Sequence, residues 1–172
     1  MRLVCFIAAA AFAVSLASAH TATPPKVTSI AALSQLPTPL PYPYDENANA
    51  DAVVYAALIK ARDEHKRAFI DLGGNWCGDC RVLSALMEQP EFKAFLDAHY
   101  VVVSVDVGRF NRNLQIPGRW NAADELKGGV PAILVVDPVT DKLVDAGHVA
   151  ALEDARSMDP QGIMNWLAQW AG

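Results

Sequence analysis

The chain has 172 residues, 52% of them hydrophobic, with a formal net charge of −5 at pH 7. That length allows one domain of ordinary size plus tails. The apolar content excludes wholesale disorder, and the mild acidity speaks against binding a nucleic-acid backbone, which needs clustered Lys and Arg.

Residues 1–19 read as a cleavable export signal. Met1-Arg2 is a short basic start, Leu3 to Leu16 is almost wholly apolar, and Ala17-Ser18-Ala19 fits a small-x-small cleavage site. The expected location is therefore periplasmic or secreted, with no stable membrane insertion after cleavage. Cleavage after Ala19 removes Cys5 and leaves Cys77 and Cys80 as the only cysteines. Export puts that pair where disulfides persist. A pair this close staples no distant parts of a fold and constrains the unfolded chain little, so a purely structural role explains it poorly.

Residues 20–46 read as a proline-rich linker or wrapping arm. Six prolines lie between His20 and Tyr44, and Pro37 to Pro43 alternates proline with other residues. That pattern favours extended polyproline backbone. The remaining domain spans residues 47–172. Ala48 to Arg67 has apolar residues at helical spacing, and Ala68 to Leu72 reads as a buried strand. Gly73-Gly74-Asn75 turns the chain. A helix then opens at the cysteines and ends before Pro90, and a short second helix carries Phe92, Phe95 and Leu96. Tyr100 to Val105 is a β-branched run that reads as a central strand, and residues 108–128 are irregular. Ala132 to Val136 is a further strand with Leu143-Val144 as its antiparallel partner, and Pro160 to Trp170 is a terminal helix. This order predicts an α/β fold, a central mixed sheet flanked by helices on both faces.

The chemistry lies in Trp76-Cys77-Gly78-Asp79-Cys80. A cysteine at a helix start meets unpaired backbone N–H groups and the positive end of the helix dipole, which stabilise a thiolate. Cys77 is the expected nucleophile. Cys80, one turn on, is the resolving thiol that displaces a mixed disulfide. Zinc is the alternative use of such a pair. It needs two further ligands, and His20, His65, His99 and His148 offer no short ligand-like spacing. No metal and no cofactor beyond the redox-active Cys77–Cys80 disulfide is expected. Asp71 stands six residues before Cys77 in an apolar strand, where a carboxylate is costly unless paired or functional. His148 reads as a surface or packed histidine.

The Cys77 motif after a strand, together with Gly129-Val130-Pro131-Ala132 before a later strand, resembles the thioredoxin superfamily. Glu88-Gln89-Pro90-Glu91-Phe92 and the strand end Val105-Asp106-Val107 are similar to exported thioredoxin-like proteins of the periplasmic DsbD C-terminal-domain type. The resemblance covers Asp51 to Trp170. It implies a thioredoxin-like fold, a cis Pro131 facing the disulfide, and Val130 offering its backbone to a substrate strand. It implies general acid/base work by Asp71 at Cys80, with Trp76, Gly78, Val130 and Pro131 as the substrate-binding set. The implied partners are proteins bearing thiols or disulfides, and a membrane DsbD-like electron donor.

Asp79 departs from the proline usual at its place in thioredoxins. A negative charge there disfavours a thiolate, and Arg81 is expected to offset it in part. The balance favours a protein-disulfide reductase. The competing readings are a disulfide oxidase or isomerase, and a non-catalytic thioredoxin-fold binding module. Residues 108–120 read as a solvated loop with one packed tryptophan; the alternative is that Arg109, Arg112, Arg119 and Trp120 line a partner-binding rim near the site.

Overall fold

The computed structural model describes residues 22–172; the stretch read as an export signal, with its expected cleavage site, lies outside the described residues. Helix α1 (Ala50–Asp63) starts at Asn49, whose side chain accepts from the Ala52 N–H. It stops short of the predicted end because His65 turns left-handed, at φ 56°. Strand β1 (Arg67–Gly73) follows, then α2 (Gly78–Met87), α3 (Pro90–His99) and β2 (Tyr100–Asp106). The irregular stretch contains one turn of α-helix, α4 (Gln115–Gly118), and a 3-10 turn at Glu125–Gly128. Strands β3 (Ala132–Asp137) and β4 (Lys142–Leu143) and helix α5 (Pro160–Trp170) complete the domain.

The sheet order is β2-β1-β3-β4, so the β-branched run expected to be central is an edge strand: it pairs with β1 alone, and Val102 is exposed. β1 runs parallel to β2 and antiparallel to β3, which pairs antiparallel with β4. β1 is thus central, and alternate side chains serve two cores. Ile70 and Leu72 join Val54, Leu58 and Ala61 of α1 in one core. Phe69, Ile133 and Val135 face Leu83 and Leu86 of α2, Phe92 and Phe95 of α3, and Ile163 and Leu167 of α5 in the other. The fold is thioredoxin-like, a mixed four-stranded sheet with helices on both faces.

The proline-rich segment packs along the second face. Glu91 Oε1 accepts from the Thr28 and Ser29 N–H groups, both at 2.9 Å, and from Thr28 Oγ1 at 2.6 Å. Hydrogen bonds from Ser29 and Thr28 hold the Glu91 carboxyl down, at about 2. Gln161 takes the Val27 N–H and donates to the Pro25 carbonyl. Arg81 donates to the carbonyls of Leu40 and Pro41 and lies over the Tyr42 ring at 4.0 Å.

Candidate active site

β1 delivers the chain to the start of α2. Gly73 ends the strand, Gly74-Asn75-Trp76 turns, and Cys77 caps the helix. Its extended backbone (φ −84°, ψ 118°) aims the sulfur back along the helix, where Sγ accepts from the Cys80 N–H at 3.1 Å. One orphan N–H of the helix start therefore points at this sulfur. Cys77 and Cys80 are disulfide-bonded, with Cα atoms 5.3 Å apart. Cys77 is 5% exposed and Cys80 is fully buried, so an incoming group reaches Cys77 first.

The segment before β3 lies across the disulfide. The Val130–Pro131 peptide bond is cis, and the Val130 carbonyl oxygen is 3.3 Å from Cys77 Sγ. Gly78 lies under the Arg156 guanidinium; a Cβ there would stand 3.2 Å from Nη1. Trp76 is half exposed. Its Nε1–H donates to the Gly108 carbonyl at 2.7 Å, Arg109 stacks on it at 4.7 Å, and Phe110 meets it edge-on.

Asp71 is wholly buried on the central strand, on the face of Phe69. Burial pushes its carboxyl up to about 7, against hydrogen bonds from Tyr44 and Ser104 that pull it down. The Tyr44 hydroxyl stands 2.9 Å from both carboxylate oxygens. A side chain at Gly73 would strike that hydroxyl and would lie 2.8 Å from Cys80 Sγ. The glycine thus leaves room for tyrosine and sulfur to approach each other above Asp71.

One expectation is corrected, and one alternative falls. Arg81 does not offset Asp79, because residues two apart on a helix point to different sides. Arg81 grips residues 40–42, and Asp79 pairs with Arg156, whose Nε and Nη2 lie 3.0 and 2.8 Å from its oxygens. The rim also divides. Arg109 and Arg112 stay near the site, Arg112 on Asp106. Arg119 and the Trp120 indole bind Asp141 in the β3–β4 turn, at the other end of the sheet. His148 is exposed and stacks on Trp170.

Tyr44 and Arg156 carry no sequence signal that ties them to the cysteines. Tyr44 sits 27 residues before Asp71, and Arg156 lies 77 after Asp79. Among the described residues, no group of three or more His, Cys, Asp or Glu gathers in a way that could hold a metal ion.

A family model described as thioredoxin-like matches residues 50–138. No curated protein sequence matches the chain. A solved structure of a disulphide isomerase from Xylella fastidiosa Temecula1 is similar at 36% identity and a TM-score of 0.69, over 75% of this chain and 96% of that one. With a matched region that contains β1, the cysteine pair, the cis proline and β3, this chain belongs to the thioredoxin-like family.

Proposed function

We propose that this protein is an exported thiol–disulfide reductase for protein substrates. The observation that carries it is the placement of Cys77 Sγ at a helix start, 3.3 Å from the Val130 carbonyl, with Cys80 buried behind it. A substrate strand laid along Val130 brings its disulfide to Cys77. The Cys77 thiolate attacks one substrate sulfur, and the other leaves as a thiolate. Cys80 gives up its proton, attacks Cys77 and releases the second substrate thiol. The substrate gains two electrons and the protein ends as the Cys77–Cys80 disulfide. Asp71 is the acid/base for Cys80. Trp76, Gly78, Val130 and Pro131 make the substrate-binding rim.

The direction of electron flow rests on how little stabilises a Cys77 thiolate. Asp79 no longer argues for it, since Arg156 compensates its charge. Among the described residues, the hydrogen bond given to Cys77 Sγ comes from a backbone N–H, and no side chain donates to it. A modestly stabilised thiolate leaves the dithiol ready to lose electrons. The N-terminal apolar leader supports export, and a membrane DsbD-like reductase would return the electrons. Isomerisation is a second reading, favoured by the likeness to a disulphide isomerase.

Insulin reduction tests the reading. Activity of the mature protein no greater than that of Cys77→Ser rejects redox catalysis and leaves a binding module. Cys80→Ser is expected to accumulate mixed disulfides with its substrates. Equilibration with glutathione is expected to give a potential nearer that of thioredoxin, about −270 mV, than the roughly −120 mV of DsbA-type oxidants; the latter value rejects the direction. Faster recovery of scrambled ribonuclease than of reduced insulin would favour isomerisation.

A further inference from the structure

We propose that Tyr44, on the segment preceding the family core, is a positioning residue for the resolving step: its hydroxyl holds the Asp71 carboxylate in place beside Cys80. This rests on the exchange chemistry proposed for Cys77 and Cys80.

Three observations carry it. The Tyr44 hydroxyl stands 2.9 Å from each Asp71 oxygen, with both residues buried. The hydroxyl and Cys80 Sγ crowd the same point, the place a Gly73 side chain would fill. The backbone of Tyr44 is clamped to the active-site turn from both sides, its N–H donating to Asn75 Oδ1 at 3.1 Å and its carbonyl accepting from Asn75 Nδ2 at 2.8 Å. Simple packing of an arm needs none of this registration with the turn that carries Cys77.

The chemistry follows from the donor inventory. A phenol hydroxyl donates one hydrogen bond and accepts others. Burial and the facing carboxylate push Tyr44 far above its ordinary value, so the hydroxyl stays protonated and donates to Asp71. In the resolving step the Cys80 thiol loses its proton, and the Asp71 carboxylate gains one. Tyr44 keeps its own proton and holds the accepting carboxylate in place while that transfer occurs. The Cys80 thiolate then breaks the bond between Cys77 and substrate. The groups facing Asp71 are Tyr44 from the arm, Ser104 from β2, Cys80 from α2 and, beyond the tyrosine, Asp106. From β3 the facing residue is Ile133, which does not titrate.

Tyr44→Phe keeps the ring and removes the hydroxyl. Asp71 then loses a hydrogen bond that favours its charged form, so its titration moves to higher pH. The resolving rate, read as release of substrate from the mixed disulfide in single turnover, is expected to fall about tenfold at pH 7, with its rising limb displaced upward by about one pH unit. Formation of the mixed disulfide by Cys77 is expected to change less than twofold. In an Asp71→Asn background Tyr44→Phe is expected to add nothing. A resolving rate and pH profile equal to wild type, equal slowing of both steps, or a full effect in the Asp71→Asn background each overturns the proposal. A measurement on the unaltered protein guards against a variant that folds poorly. Carbon-13 NMR is expected to show the Tyr44 Cζ shift titrating together with the Asp71 carboxyl carbon, and independent titration overturns the proposal. Inactivity of wild type relative to Cys77→Ser would instead reject the exchange reaction itself, and the NMR outcome is independent of that.

Discussion

Asp79 and Arg156 form a charge pair directly over the cysteine motif. Besides the two guanidinium contacts, the Arg156 backbone N–H donates to Asp79 Oδ1 at 2.9 Å. The aspartate is buried and the arginine largely exposed, and the guanidinium covers Gly78 between the two cysteines.

Removing either partner should change the field at Cys77 with opposite sign. Asp79→Asn leaves the cation uncompensated, and a cation favours a thiolate. The pH midpoint of Cys77 alkylation is expected to fall by about 0.5–1 unit, and the reduction potential to rise by ~15–30 mV. Arg156→Gln is expected to move both quantities the other way. Alkylation rate against pH and glutathione equilibration provide the check, at low salt because the exposed guanidinium is screened.

Two buried carboxyls set the pH dependence of stability. Burial raises Asp71 and Asp145 to about 7 each. Asp145 is fully buried, with one oxygen on the Val135 N–H at 2.9 Å and the other without a partner. In the unfolded chain both titrate near 3.9. Between pH 4 and 7 the folded state therefore binds more protons, so stability falls as pH rises through that window. Each group contributes a slope of about 1.4 kcal/mol per pH unit across it. Denaturant midpoints from pH 4 to 8 should decline, and Asp71→Asn or Asp145→Asn should each flatten the curve. A curve equally steep in both variants would refute the assignment.

Gly73→Ala should be far more damaging than a surface change of the same size. The added methyl meets the Tyr44 hydroxyl, the Tyr44 ring carbon Cζ at 2.6 Å and Cys80 Sγ at 2.8 Å. Overpacking of this kind costs about 1–3 kcal/mol. Urea unfolding is expected to report that loss, and insulin reduction to fall with it, since one methyl displaces both the sulfur and the hydroxyl.

Arg81→Ala should loosen the arm while sparing the cysteine chemistry. It removes donors to the Leu40 and Pro41 carbonyls and the cation over Tyr42. A loss of about 1–3 kcal/mol is expected, together with faster proteinase K cleavage between residues 36 and 43. Further along the arm, Glu91 grips Thr28 and Ser29 through a carboxylate held at about 2. A depressed carboxyl stabilises above its unfolded value and lets go as pH falls through its folded one. Cleavage near residue 28 should therefore accelerate between pH 4 and 2.

Much of this was legible from local pattern. The run from Ala68 to Leu72 reads as a buried strand, and Asp71 stands out in it as a charge among apolar neighbours; the central place expected for Tyr100 to Val105 belongs to this strand instead, because β-branched residues suit an edge strand with one packed face as well as a central one. The cysteine spacing and the following amphipathic segment place the pair at a helix start. The long-range partners were not legible. Nothing near Tyr44 distinguishes a tether from a segment whose hydroxyl reaches a buried acid, since proline and tyrosine serve both. Arg81 looked like the partner of Asp79 through nearness in sequence, but the helix turns the two apart and a residue from the loop before α5 takes the place. The irregularity of residues 108–128 was readable from their composition. Their division between the two ends of the sheet was not, because it depends on where Gly108, Phe110, Asn113 and Asn121 turn left-handed.

The hold of Gln161 on Val27 and Pro25 spans more than 130 residues of chain. The arm is synthesised first, yet it finds its grip only after α5 has been made. Non-local contacts are the slow ones to form, so this grip is expected to follow the local ones. The order of assembly therefore runs against the order of translation. The sheet and the cysteine turn can come together while the proline segment is still loose, and its docking is a closing act that seals water away from Asp71.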